Sequence, residues 1–263
     1  MARLDVELIT RGIACSRARA QELIKGGQIK LDGIVCTKPS KQTDEKSEIT
    51  MEGEGLAYVG RGGLKLERAV RLFDIALDGL ICMDIGASTG GFTDFMIQNG
   101  AEKVYAVDVG HGQLADKLRQ DIRVINLEGT DIRTLDTDII SEPVDFISAD
   151  VSFISLTFIL PHIARFLKKN GTAIVLIKPQ FEAGRENIGK NGIVKSRSVH
   201  MNVLVRIKEE LSKNGLSFVS LCPSPVRGGS GNIEYLAAMC NSDKPDAAVD
   251  LKAVIEEAFL MQK

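Results

Sequence analysis

Apolar positions along this chain follow two different rhythms. In the first fifty residues the apolar runs are short. Leu4, Leu8 and Ile9 share one face of a helix that the pattern ends near Gly12. Ser16 has the side chain of an N-cap for a second helix, which runs to Lys25 and is stopped by Gly26-Gly27. Strands at Gln28–Leu31 and Ile34–Thr37 flank Asp32-Gly33, a dipeptide suited to the two left-handed positions of a tight hairpin. Residues 39–48 read as polar loop and Ile49–Met51 as one more short strand. The stretch from Glu52 to Gly63 is Gly-bearing and reads as a linker, which places a small α+β domain at residues 1–60, with its linker at about 52–60, and a larger one at 61–263.

From Leu64 the rhythm changes. Leu64, Leu66, Ala69, Val70 and Phe73 recur at helical spacing. Strand-like runs at Ile81–Ile85, Val104–Val109, Val124–Asn126, Val144–Ala149 and Ala173–Ile177 then alternate with helical stretches. Alternating β and α predicts an α/β fold, with parallel strands, right-handed crossovers and helices on both faces. Phe218–Cys222 and Glu234–Cys240 are joined by loop alone and predict an antiparallel pair, and a last helix is expected from Ala247 to Met261.

Composition adds little until it is divided along the chain. The 263 residues carry a net charge of −2, but residues 1–43 hold eight Lys or Arg against four Asp or Glu. A basic module ahead of a mildly acidic remainder suits nucleic-acid binding, and Arg3, Arg11, Arg17, Arg19, Lys25 and Lys30 are its candidate nucleic-acid contacts. The five cysteines are scattered without a C-x-x-C pair, and the three histidines form no ligand-spaced cluster, so neither a disulfide framework nor a metal site is expected. The N-terminus lacks the apolar stretch of a signal peptide and no run of 18 apolar residues exists, which predicts no membrane partner and, with the scattered cysteines, a cytoplasmic protein; a monomer is expected.

The segment from Met83 through Asp84, Ile85, Gly86, Ala87, Ser88, Thr89, Gly90 and Gly91 to Phe92 follows the first long strand and opens a helix. Its G-x-x-x-G-G spacing is neither the G-x-G-x-x-G of dinucleotide binders nor a phosphate-binding loop with Lys-Ser/Thr. Asp84, at the strand end, offers a carboxylate to an ammonium or sulfonium, and Asp108 closes the second strand where such folds hold a ribose diol. S-adenosyl-L-methionine is the cofactor that this arrangement predicts. Asp131, in Glu128-Gly129-Thr130-Asp131, stands where it could reach the adenine, or is a solvated loop acid.

The catalytic region resembles the FtsJ-like ribose 2′-O-methyltransferases. With the first sixty residues included, nearly the whole chain is similar to the TlyA (hemolysin A) subgroup. The N-terminal carriers of that likeness are Leu4-Asp5 and the run Ser16-Arg17-Ala18-Arg19-Ala20 before Ile24 and Gly26-Gly27, which resemble an S-four-type RNA-binding domain. The family's Lys-Asp-Lys-Glu tetrad falls on Lys65 in Arg61-Gly62-Gly63-Leu64-Lys65-Leu66, Asp150 in Ser148-Ala149-Asp150-Val151-Ser152, Lys178 in Ile177-Lys178-Pro179-Gln180-Phe181, and Glu234 in Asn232-Ile233-Glu234-Tyr235. The resemblance implies a Rossmann-like methyltransferase fold with a seven-stranded, mostly parallel sheet. It also implies methylation of a ribose hydroxyl, in cytidine of ribosomal RNA.

The chemistry of those residues is consistent without the resemblance. A ribose hydroxyl must lose its proton as a sulfonium methyl arrives in line. A lysine takes that proton only if part of it is neutral, which burial or a second cation favours; alternatively, a charged Lys178 stabilises the developing alkoxide. Asp150 and Glu234 would orient the lysines and the hydroxyl. Enzymes that methylate exocyclic amines usually carry Asn/Asp-Pro-Pro-Tyr/Phe after the fourth strand, and Ala149-Asp150-Val151-Ser152-Phe153 has no proline. The loop from Pro179 to Val194, with Gly184, Gly189 and Gly192 beside Arg185, Lys190 and Lys195, reads as a lid on the substrate side, and Arg227–Gly231 as a second one. The competing readings are a methyltransferase for a small molecule or protein, a pore-forming hemolysin as the subgroup's label suggests, and an RNA-binding protein with an inert fold.

Overall fold

The computed structural model describes every residue except 1, 12, 15, 16, 45, 52–56, 141, 262 and 263, and leaves the side chains of Ala18, Arg19 and Glu22 undescribed. The expected cap at Ser16, the side chain of Arg19 and much of the expected linker therefore lie outside the described residues. The chain divides into two compact units, Met1–Gly60 and Arg61–Lys263.

The first unit runs β1 (Ala2–Arg3), α1 (Leu4–Thr10), α2 (Arg17–Lys25), β2 (Ile29–Leu31), β3 (Ile34–Val35), β4 (Gln42–Thr43) and β5 (Ile49–Met51). The hairpin at Asp32-Gly33 forms as the dipeptide dictates: both residues have positive φ, 51° and 78°, and Leu31 pairs with Ile34. β2 lies between β3 and β5, antiparallel to both. Leu4, Leu8, Leu23, Ile24 and Ile29 make the core. Two expectations fail here. Ile9 points to solvent, because Leu4 and Leu8 already fill the buried stripe of so short a helix. Residues 39–48 are not all loop, since Gln42–Thr43 pairs with Ala2–Arg3, a ladder between distant segments that no local pattern announces.

The second unit opens with α3 (Gly62–Leu72) and continues β6 (Ile81–Ile85), α4 (Gly91–Gln98), β7 (Lys103–Asp108), α5 (Asp116–Arg119), β8 (Val124–Glu128), β9 (Val144–Ala149), α6 (Leu160–Phe166), β10 (Leu167–Ile177), α7 (Pro179–Glu182), α8 (Arg197–Lys213), β11 (Ser217–Pro223), β12 (Tyr235–Cys240) and α9 (Leu251–Leu260). Seven strands form one sheet in the order β11-β12-β10-β9-β6-β7-β8. Those from β10 to β8 are parallel to their neighbours, and β12 runs antiparallel between β10 and β11. Met83, Ile85, Val107, Ile147 and Val175 bury one face of the sheet in the main core, with Leu160, Ile163, Leu204 and Ile207 among the residues packed there.

Some boundaries move. β10 starts at Leu167, six residues before the expected Ala173, because Leu167 already pairs with Val144, ahead of a break in register at Lys168–Gly171 after which Thr172 pairs with Phe146. The last helix starts at Leu251 rather than Ala247, where the Asp250 carboxylate accepts the Ala253 amide and fixes its N-terminus.

The chain leaves β6 toward β7 and β8, then returns to place β9 on the other side of β6. At this reversal the loops after β6 and β9 part, which is where open α/β sheets hold their ligands.

Candidate active site

The loops following β6, β7 and β9 enclose a cleft of about 690 Å³ at that reversal, lined by Gly86, Ser88, Asp108, Gln113, Asp131 and Asp150 among others. Gly86 has φ +81° and a Cβ there would stand 2.7 Å from the Asp150 carbonyl oxygen, so the turn accepts only glycine without distortion. The neighbouring backbone is fixed by the ladder: the Gly86 amide donates to Val107 O and the Asp150 amide to Ile85 O, at 2.8 and 2.9 Å. Asp108 braces the other wall. One of its oxygens accepts the Ser88 amide and the other the Gly110 amide, each at 2.7 Å, and the Ser88 hydroxyl donates to Gln113 Oε1 at 3.2 Å. Asp131 also faces the cleft, with its carboxylate held by Arg133, whose Nη2 lies 2.6 Å away; this pairing keeps Asp131 below the usual carboxylate range.

Not every residue expected at the cofactor lines this cleft. Asp84 is fully buried on the opposite side of its strand. Its carboxylate accepts the Thr93 amide and hydroxyl and the Ser148 hydroxyl, at 2.9, 2.7 and 3.1 Å. Successive strand residues face opposite ways, and Ile85 takes the cleft side. Ala87, Gly90, Gly91 and Phe92 are buried behind the loop. Gly90 has φ +92° under Leu114 and Leu118, and a Cβ on Gly62 would stand 3.4 Å from the Phe92 ring; these residues seat α4 rather than touch the cavity. Gln113, Thr130, Ser152 and Phe153 line the cleft, and sequence reasoning missed them. Of these, Phe153 is 92% exposed with φ +64° and its ring centroid 5.1 Å from that of Phe181. A bulky residue in that backbone region, with its ring in water, is the signal to seek at such a site.

At one end of the cleft the four residues of the tetrad converge. Lys65, on the first turn of α3, lies 2.7 Å from Glu234 Oε2 and 3.7 Å from Asp150 Oδ2. Lys178, directly after β10, lies 2.6 Å from Asp150 Oδ1 and donates to Ser152 Oγ at 2.7 Å. Lys65, Lys178 and Glu234 are buried, while Asp150 keeps an exposed edge. Two lysines and two acids partner one another, which is what permits such burial. Glu234 stands one residue before β12 rather than within it, opposite Lys178, because Tyr235 pairs with Ile177. A Cβ on Gly228 would run into the Glu234 carboxylate, so the glycine loop ahead of β12 makes room for that side chain.

The loops around the tetrad are anchored from behind. Asn232 accepts the Val194 amide at 3.0 Å and donates to Gly192 O at 2.8 Å. The buried His200 ring on α8 bridges the Tyr235 hydroxyl, 2.8 Å away, and Val194 O, 3.0 Å away. Burial lowers the His200 pKa, so the neutral ring donates from Nε2 to Val194 O and accepts the tyrosine proton at Nδ1. Arg185, Lys190, Lys195 and Arg227 sit exposed on these loops.

In the first unit the basic residues behave differently from a simple contact set. Arg3 and Arg17 both reach the buried Asp5, at 2.9 and 3.1 Å, and Arg3's hydrogen bond above all holds that carboxyl well below the usual range. Arg11 pairs with Glu7 and donates to the carbonyls of Ser47 and Asp44. These arginines hold the unit together as well as lending it charge. Lys25 is exposed and Lys30 half-buried. Among the described residues no helix is long and apolar enough to cross a membrane, and no cluster of His, Cys, Asp or Glu could hold a metal ion.

Residues 58–240 match the model of the FtsJ-like methyltransferase family and residues 2–49 that of the S4 domain. The chain is 46% identical over 235 residues to the Bacillus subtilis protein YqxC, named only provisionally as an rRNA methyltransferase, covering 89% of this chain and 84% of that protein. It is 38% identical over 260 residues to the 16S/23S rRNA (cytidine-2′-O)-methyltransferase TlyA of Mycobacterium tuberculosis, covering 98% and 97%. A solved structure from Streptococcus thermophilus that carries a provisional hemolysin label superposes with a TM-score of 0.81 at 44% identity, covering 98% of this chain and 96% of that one. By its sequence, its sheet order and these relatives, the chain belongs to the FtsJ-like methyltransferase family, in the S4-bearing TlyA/hemolysin A branch.

Proposed function

We propose that this protein transfers the methyl group of S-adenosyl-L-methionine to the 2′-hydroxyl of a cytidine ribose in ribosomal RNA, in the cytoplasm where that RNA is found. The observation that carries this reading is the meeting of Lys65, Asp150, Lys178 and Glu234 at the cleft, with separations of 2.6–3.7 Å between residues far apart in the chain. The relatives named above supply the substrate class. The cleft suits the cofactor on its own chemistry. Gly86 lets a ligand approach the backbone, Asp108 closes β7 where a ribose diol would hydrogen-bond, and Asp131 faces the adenine end. Held by the cleft at Gly86, Asp108 and Asp131, S-adenosyl-L-methionine would supply a methyl group on a positively charged sulfur, with a neutral thioether as the leaving group.

The protein's own residues do the rest. Asp150 and Ser152 aim the Lys178 side chain, and Glu234 and Asp150 hold Lys65 beside it. As the new C–O bond forms, the hydroxyl proton passes to Lys178 in its amine form; if Lys178 is charged, it stabilises the alkoxide and the proton leaves through the exposed edge of Asp150 to water. A rate that rises with pH and then levels selects the amine. Proton transfer of this kind is worth about 10²–10⁴ in rate. The exposed Phe153 ring, beside Asp150 and Ser152, offers a face on which an unstacked base can lie. The S4 unit and the exposed cations of the 184–195 loop supply grip on the RNA backbone.

Mapping 2′-O-methyl groups by mass spectrometry on ribosomal RNA from cells with and without the gene tests this directly. A cytidine whose methyl disappears with the gene and returns on adding the purified protein and cofactor is expected. An unchanged methylation map overturns the reading.

A further inference from the structure

We propose that Glu182 is a positioning residue for the methyl transfer: its buried carboxylate fixes the two loops that carry Asp150 and Lys178 at a set distance and angle. The proposal rests on the methyl-transfer reading of the tetrad. Glu182 is the last residue of α7, four positions after Lys178. One of its oxygens accepts the Leu156 amide at 2.8 Å, and the other accepts the Ser155 hydroxyl at 2.7 Å and Arg206 Nη2 at 2.6 Å. Ser155 lies five residues after Asp150 and in turn caps the short turn Leu156–Phe158 by accepting the Thr157 amide. Neither Glu182 nor Ser155, Leu156 or Arg206 lines the cofactor cleft, so this carboxylate holds protein rather than ligand.

An acid in so dry a place is a poor way to fill space, because burying the charge is costly unless it is fully partnered. What a carboxylate offers over an apolar side chain is two acceptors in one plane, hence direction as well as contact. At the catalytic end the two loops already touch through Lys178, which reaches Asp150 and Ser152. The Phe153 and Phe181 rings also meet there, 5.1 Å apart, and ties gathered at one end leave the loops free to rock about it. The further tie, at Glu182, removes that freedom, and α8 holds it from the solvent side through Arg206, whose side chain is itself half exposed. The Lys178 ammonium, at the end of a flexible stem, thereby sits on a fixed base.

Single-turnover methylation of ribosomal RNA by the full chain separates positioning from simple loss of structure, since the amplitude reports the active fraction and the rate constant reports the chemistry. Glu182→Gln keeps the shape and loses the charge. It is expected to lower the rate constant about 10–100-fold, the scale of an ångström-level misplacement, with near-normal amplitude and a half-saturating RNA concentration within about threefold of the wild type. Ser155→Ala and Arg206→Gln each remove one arm and are expected to slow the step about threefold or more, roughly what one hydrogen bond controls. Should Glu182→Gln fail to fold, these two carry the test. Wild-type rate constants in the variants overturn the proposal, as does a loss confined to amplitude. If the wild-type protein itself transfers no methyl group, it is the reaction assignment that fails.

Discussion

Asp84 offers a measurement that distinguishes two uses of an acid at a cofactor loop. Burial pushes its carboxyl up to about 7 from an ordinary value of 3.8, against hydrogen bonds from Thr93 and Ser148 that pull the other way, with the charge of Asp150 adding to the rise. The folded protein thus keeps a proton that the unfolded chain gives up near pH 4. The associated stability is complete below that point and is lost as pH climbs through 7. One pKa unit corresponds to about 1.4 kcal/mol, so of about 4 kcal/mol in all the part lost between about pH 5.5 and pH 8 is about 2 kcal/mol. Asp84→Asn copies the protonated form: its carbonyl can accept from Thr93 and its amide can donate to Ser148 Oγ. The variant should therefore gain on the wild type as pH rises, by about 4–8 °C in Tm for a unit of this size. Calorimetric melting of both proteins across that pH range reads the difference directly. Because the carboxylate lies behind the cleft, cofactor affinity should stay within about threefold, less than the loss of one hydrogen bond would produce. Parallel Tm profiles for the two proteins would refute the account of a buried neutral acid, and a collapse of cofactor binding in the variant would restore the expectation that Asp84 faces the ligand.

Lys178→Ala should lower methyl transfer by about 10³-fold or more while isothermal titration still detects cofactor binding; turnover near that of the wild type would remove Lys178 from the reaction. Gly86→Ala places a Cβ against the Asp150 carbonyl at a positive φ, and should weaken cofactor binding and turnover together by about tenfold or more, as expected for about 1–3 kcal/mol of strain, which the same titration and a methylation assay would register. Replacing Lys25 and Lys30 by alanine should flatten the plot of log affinity for ribosomal RNA against log salt, by about one unit for each phosphate that is no longer neutralised; an unaltered slope would move the RNA grip to other residues.

The architecture of the larger unit was legible because its signal is local and repeated: apolar strand, helix, apolar strand, with a loop of unusual glycine spacing after the first. The tetrad was legible through motif context, since Lys65 alone on an amphipathic helix looks like any solvated cation. Other features depend on partners that no window of sequence contains. Asp84 and Ile85 are neighbours, and only the packing of α4 decides which of the two looks into the cleft. The pairing of Gln42–Thr43 with Ala2–Arg3 spans forty residues. The arginines expected to meet RNA prove to be partly engaged with Asp5 and Glu7, a competition that charge counting cannot see. Gln113 and Phe153 sit in segments of ordinary composition, and their place in the cleft follows from backbone geometry.

The reversed direction of β12 has a consequence for how the proposed catalytic centre can change. Since Tyr235 lies across from Ile177, the acid preceding one strand and the lysine following the other are set by a single ladder, whatever happens in the 55 residues between them. Exposed loop residues in that interval, away from Glu182, Arg206 and Gly228, can change in number or acquire new side chains without moving Glu234 relative to Lys178. A one-residue slip in the ladder, by contrast, would turn every β12 side chain to the other face of the sheet. Insertions are therefore tolerable in the exposed part of the excursion and ruinous in the strand, which makes residues 185–190, rather than the anchored Gly192, Val194 and Gly228, the place to graft a different RNA preference.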